Sequence, residues 1–418
     1  MWKKCCFVLT LMGCGSSEMA TPDAVLPDPD AGIVDTDLQI DLAAKHGTAT
    51  VHFVGSTSFE VEGLTIQNVG APGQYSMSSD GKTLMVDAPF DEVSTLTVDY
   101  TYRDYTTFMG SMPMGTTLLW PYYCGNLFPC HSQPSDGLRF TMTLVNPPAG
   151  QQAIYPTAIA ADAPSYQIAW AIGDYQKVDL GTTQNGTTVS FWAFPADVGV
   201  TMTATAHLRD VFDWYEQTYG RYSFGTQVGS IEVKWPAGAY GGMEHHPMWH
   251  ISQSAVHDHV VHAHEAAHGW FGDGIRIRCW EDFVLSEGSA DYLSLRAVEQ
   301  TEGAAAGQQA WADEMTALQN AVASGDRVAW PNSCGVLDIL KDHLFTEIPY
   351  KKGAFFYKAV EMQVGRPALD HAMGHFYAEH HNQAAGMQDL LDTIKTDTGF
   401  DPTALAQAWL RGMGIPPM

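Results

Sequence analysis

The chain has 418 residues, enough for two or three domains and a large buried core. Hydrophobic residues make up 45% of it, an ordinary share for a globular protein. Lys and Arg number 21 against 47 Asp and Glu, a formal net charge of −26, which argues against a nucleic-acid partner because phosphates are held by cations.

The N-terminus reads as a targeting segment. Lys3 and Lys4 give a positive start, and residues 5–12 form an apolar run too short to span a bilayer. The run ends Leu11-Met12-Gly13-Cys14, which resembles a bacterial lipobox. That resemblance implies a signal peptide over 1–13, lipidation of Cys14, and a protein tied to the cell envelope through a lipid anchor. Gly15 rather than Asp follows, which favours the outer membrane. An ordinary signal peptide is the alternative. Residues 14–36 are small, acidic and Pro-containing, the composition of a flexible tether. Residues 37–203 alternate apolar and polar positions in Thr-, Val- and Tyr-rich runs. Turn signals such as Ser79-Asp80-Gly81 and Gln184-Asn185-Gly186 separate the runs, which together predict an all-β domain. The period changes near Ala204. Helical spacing over 204–219 ends at Gly220, and residues 204–418 read as mainly helical with a strand near 230–234.

Seven cysteines are present. Cys5 and Cys6 fall in the leader and Cys14 is taken by lipid, so Cys124, Cys130, Cys279 and Cys334 remain. Four cysteines in an exported protein point to two disulfides, with three pairings open. Cys124 with Cys130 is the local pairing and leaves Cys279 with Cys334. Four free buried thiols are the alternative.

His264-Glu265-Ala266-Ala267-His268 concentrates the chemistry. Residues i and i+4 share one helix face, so His264 and His268 can reach one ion together. Glu287, on a second helical stretch, can complete a His/His/carboxylate set with the fourth position open, the mark of a catalytic zinc site. Glu265 can lean toward that open position as a general base. Asp291, four residues after Glu287, can accept the second ring N–H of a ligand histidine. His262 is two residues before His264 and points elsewhere. His245, His246, His250, His257 and His259 read as surface or core histidines.

Four further segments agree with this motif. Gly241-Gly242-Met243-Glu244-His245 resembles the GAMEN exopeptidase motif of the M1 family of zinc aminopeptidases, a gluzincin family. Ile348-Pro349-Tyr350-Lys351-Lys352-Gly353-Ala354 resembles its PYEKG segment. The stretch 126–134 resembles its FPCFDEP stretch, and 408–416 the end of its catalytic domain. The resemblance covers residues 37–418. It implies a multi-domain fold, with an N-terminal all-β saddle-like domain (37–203) followed by a thermolysin-like, mainly helical α/β catalytic domain (204–418). It implies one Zn2+ per chain, peptide substrates, Tyr350 as oxyanion donor, and Glu244 as anchor for the substrate ammonium. Gly241, Gly242 and Met243 would lie along the substrate backbone. The chain departs from the family pattern at His245 and His246, which stand for Asn and Trp, and at Gly125, which stands for Arg. It shows no clear β-domain Gln or Glu for the amine, and it ends where the catalytic domain ends, without the large helical C-terminal domain. An endopeptidase on the same scaffold and a non-catalytic zinc-binding lipoprotein remain open as alternatives.

Overall fold

The computed structural model describes residues 32–89, 91–235 and 240–417. The leader and Cys14 lie outside the described residues. No described helix is long and apolar enough to cross a membrane.

Alternation builds the first layer. In the strand Leu138–Val145, Leu138, Phe140, Met142 and Leu144 are buried while the residues between them are exposed. This strand sits in a six-stranded sheet. Its order is Ala158–Ala163, Leu138–Val145, Gly32–Asp41, His46–Val54, Val93–Thr101 and Thr65–Gly70. The pair Gly32–Asp41 with Leu138–Val145 is parallel, and the others are antiparallel.

Two boundaries differ from the sequence reading. The strand Gly32–Asp41 takes in residues 32–36, which the composition placed in the tether, and Ile33 and Thr36 are buried. A register shift between Ile33 and Asp35 breaks the alternation there and hides the strand. The strands Gln176–Thr182 and Thr188–Ala193, read as the end of the β domain, instead open a five-stranded sheet. It continues through Gln227–Val233, Met248–Ser252 and Gly242–Met243, so it crosses the expected boundary at 203. Alternation reports which face of a strand is buried, not which sheet the strand joins.

The helices follow. The helix expected over 204–219 begins later, as α2 (Leu208–Tyr219), and ends at Gly220 as read, while a separate α1 (Val198–Ala204) precedes it. α2 buries Leu208, Val211, Phe212, Tyr215 and Tyr219, an i, i+3, i+4, i+7 stripe. Then come α3 (His259–Ala267), α4 (Phe283–Glu302), α5 (Ala304–Gly325) and α6 (Glu347–Val364). One apolar cluster runs from Ile33 to Leu410 and joins the β part to the helical part. α4 and α6 cross where Gly288 meets Gly353. A Cβ on Gly353 would lie 2.4 Å from the Gly288 Cα, so only glycines permit this approach. Disulfides join Cys124 to Cys130 and Cys279 to Cys334.

Candidate active site

α3 begins at Asp258, whose Oδ1 accepts the Val260 N–H at 2.9 Å as an N-cap. One turn separates His264 from His268, and the glycine crossing sets α4 beside α6, so Glu287 and Tyr350 come to the same place. His264 Nε2 lies 3.1 Å from His268 Nε2 and 3.2 Å from Glu287 Oε2. His268 Nε2 lies 3.3 Å from the same oxygen. In a tetrahedral zinc site with bonds of about 2.0–2.1 Å, ligand atoms are about 3.3 Å apart, so the triangle has the right edge.

The ring tautomers agree with a metal. His264 Nδ1 donates to Asp291 Oδ1 at 2.8 Å, and His268 Nδ1 donates to the Phe271 carbonyl at 3.0 Å. Both Nε2 atoms then present lone pairs to each other and to a carboxylate. Three acceptors packed this closely call for a cation between them. Asp291 is fixed in turn by Lys351, whose Nζ donates to Oδ2 at 2.9 Å. Burial alone would raise the Asp291 carboxyl, but Lys351 and His264 hold it well below the usual range.

Glu265 and Glu244 complete the polar floor. Each is 5% exposed, and both approach His268 closely enough to share one small ion-sized space. Burial pushes the Glu265 carboxyl up to about 8 and raises that of Glu244 as well. A Cβ on Gly242 would strike Glu265 Oε1 at 2.3 Å, so a glycine there lets the carboxylate lie against the edge strand. Tyr350 stacks on His264 with ring centroids 6.0 Å apart and an angle of 19°.

The two departures from the motif have structural roles. His246 Nε2 donates to the Glu265 carbonyl at 2.8 Å, and its Nδ1 accepts from Tyr222 Oη at 2.7 Å. Gln167 Nε2 donates to the His246 carbonyl at 2.7 Å. Together these bonds fasten the segment carrying Glu244 to α3. His245 faces His250, Nδ1 to Nδ1 at 3.1 Å, both buried. His262 contacts Ser230 Oγ and the Val256 carbonyl, away from the triangle.

A cavity of about 1190 Å³ opens over this floor, and Tyr240, Gly241, Gly242, Met243 and Glu244 form one wall. Trp120 from the β part and Phe345 from the loop before α6 also line it. Sequence reasoning missed both, since neither belongs to a motif and only the fold brings them to the cleft.

Residues 207–409 match the Peptidase family M1 domain. The chain is 23% identical over 320 residues to leucine aminopeptidase 2-1 of Meyerozyma guilliermondii, covering 70% of this chain and 50% of that protein. It is 25% identical over 335 residues to leucine aminopeptidase 2 of Emericella nidulans, covering 70% and 51%. The chain thus spans about half the length of these curated relatives. Among solved structures, the M1 zinc metallopeptidase of Deinococcus radiodurans superposes with a TM-score of 0.77 at 19% identity, covering 93% of this chain and 96% of that one. Native yeast LTA4 hydrolase gives 0.76 at 20% identity, covering 93% and 69%. At such identities the structural likeness is one of fold. Residues 207–409 are thus similar to the Peptidase family M1 domain, and within them His264, His268 and Glu287 are spaced to hold a zinc ion.

Proposed function

We propose that the protein is an aminopeptidase that hydrolyses the first peptide bond of peptides. The observation that carries this reading is Glu244. Its carboxylate is buried beside the ligand triangle and makes no ion pair among the described residues. A buried anion without a partner is costly, and a substrate α-ammonium would relieve it. Anchoring that ammonium also sets a ruler, because only the first peptide bond then reaches the ligand triangle. The curated relatives named leucine aminopeptidase support the same reading.

Zinc, when bound, supplies Lewis acidity that brings a water's pKa toward neutrality and polarises a carbonyl. Glu265 takes the proton of the attacking water on a carboxylate oxygen and hands it to the nitrogen of the leaving peptide. Tyr350 donates its hydroxyl proton in a hydrogen bond to the carbonyl oxygen as charge builds there. Asp291 holds His264 in the ligating tautomer. In this reading the catalytic part is thermolysin-like, with the β part set against it as a saddle.

The test compares Leu-peptides with free and acetylated N-termini on zinc-loaded protein. Release of Leu from the free peptides alone, weakened in Glu244→Gln mainly through KM, is the expected result. Equal cleavage of the acetylated peptides would point instead to an endopeptidase. The same proposal places the protein on the bacterial cell envelope through lipid on Cys14. Cys14→Ala should then release it from membranes, and a variant that stays membrane-bound would contradict the anchor.

A further inference from the structure

The two ends of the cleft differ, and α4 gives the scale. At about 1.5 Å rise per residue, Phe283 lies about 6 Å before Glu287 and Leu295 about 12 Å after it. At the Phe283 end the cleft is closed by aromatic rings. Trp120 lies 4.7 Å from Phe345 and 6.3 Å from Tyr240, centroid to centroid. The Leu295 end is walled by α5 and the first turn of α3. At about 3.3 Å per extended residue it has room for three residues beyond the scissile bond.

The cleft is acidic beyond the average of the chain. Eight carboxylate side chains line the whole cleft against a single Lys or Arg, whereas the chain has 47 against 21. The one cation, Lys351, is already held by Asp291 at 2.9 Å, by Glu314 at 3.2 Å and by Glu347 at 3.8 Å. Asp258, Asp313 and Glu347 add carboxylates to the same wall without a further Lys or Arg among the described lining residues. Glu314 is 8% exposed, and its Oε1 has no hydrogen-bond partner among the described residues. Its other oxygen pairs with Lys351, so the side chain holds fewer bonds than it can accept, and Asp313 and Glu347 beside it on the cleft wall are exposed.

We propose that the α5 side of the cleft is a subsite for basic residues, so that the enzyme selects peptides carrying Lys or Arg at the second to fourth positions. The proposal rests on the aminopeptidase reading, which assigns the α5 side to the leaving peptide. The carboxylates draw the cationic segment in and orient it along α4 while Glu244 fixes the terminal ammonium.

The test uses zinc-loaded protein and three amidated peptides, Leu-Gly-Lys-Lys, Leu-Gly-Ala-Ala and Leu-Gly-Glu-Glu, with Leu release as the readout. At low ionic strength kcat/KM should fall in that order, with on the order of tenfold or more between the extremes. About 0.5 M NaCl should shrink the spread. In Asp313→Asn/Glu347→Gln, which alters two exposed side chains, the three values should converge to within about twofold. Equal values in the unaltered protein, or a spread that survives the double variant, would overturn the subsite. If no peptide releases Leu, the aminopeptidase reading fails and the subsite falls with it. If Leu-Gly-Ala-Ala is cleaved without charge preference, only the subsite fails.

Discussion

Asp291 contacts the candidate ligand His264 and the fold through different oxygens, so one substitution can separate the two. Oδ1 accepts from His264 Nδ1 at 2.8 Å, and Oδ2 accepts from Lys351 Nζ at 2.9 Å. Asp291→Asn keeps the volume and one acceptor but removes the charge. Loss of a carboxylate behind a ligand histidine weakens metal binding by about 10–100-fold, or about 1.4–2.7 kcal/mol. The fold should suffer less, because Lys351 has a reserve partner. Glu314 lies 3.2 Å from the same Nζ, and its carboxyl is pushed up to about 8, first by burial and then by the Asp291 charge. Without that charge, Glu314 ionises more readily and strengthens the pair it already makes with Lys351. Zinc affinity is read by competition with a chromogenic chelator, and apo-protein stability by calorimetry. The expected result is a 10–100-fold weaker zinc site with apo stability reduced by less than about 2 kcal/mol. Adding Glu314→Gln strands Lys351 and should cost a further 3 kcal/mol or so. Unchanged zinc affinity in Asp291→Asn would refute the role assigned to Oδ1. A single variant as unstable as the double would refute the Glu314 rescue.

Glu265→Gln should lose on the order of 10²–10⁴ in kcat while zinc affinity is retained, and a variant of near-normal turnover would remove Glu265 from the chemistry. Tyr350→Phe should lower kcat by about 100-fold, near 3 kcal/mol, with little change in KM; a KM effect alone would make Tyr350 a binding group. Glu232, 1% exposed, gives a pH prediction remote from the metal. Burial lifts its carboxyl to about 7, and Oε1 has no partner among the described residues. Because the folded value is raised, its contribution to stability is full below the ordinary value of 4.5 and is lost as pH rises through about 7. Between pH 5 and 8 the protein should lose up to about 3 kcal/mol that Glu232→Gln does not lose, and parallel stability curves would show Glu232 to be neutral to folding. Glu281 accepts the backbone N–H groups of Gly335, Val336 and Leu337 at 2.9–3.0 Å, holding the loop that leads to Phe345. Glu281→Ala should raise KM several-fold and speed proteolysis of that loop, and unchanged cleavage kinetics would show another tether.

What the sequence revealed and what it concealed follow from the range of the interactions. The approach of His264 to His268 was legible because an i, i+4 pair on a helix is a local geometric fact. The disulfide Cys279–Cys334 was one of three open pairings, since the approach of residues 55 apart depends on how a loop folds back. The strand Thr188–Ala193 was recognised as a strand and placed in the β domain, but its parallel partner Gln227–Val233 comes after two helices, which alternation does not report. Trp120 and Phe345 carry no motif and gain meaning only when the β part closes on the helical part. His245 and His246 looked like losses from an amine-binding motif. His246 instead ties the Glu244 segment to α3, from the Tyr222 hydroxyl through the imidazole to the Glu265 carbonyl. One of the two substitutions that made the sequence look least like an aminopeptidase, His246, thus fastens the Glu244 segment to α3. Glu244, buried beside the triangle of His264, His268 and Glu287, is where the exopeptidase reading stands or falls.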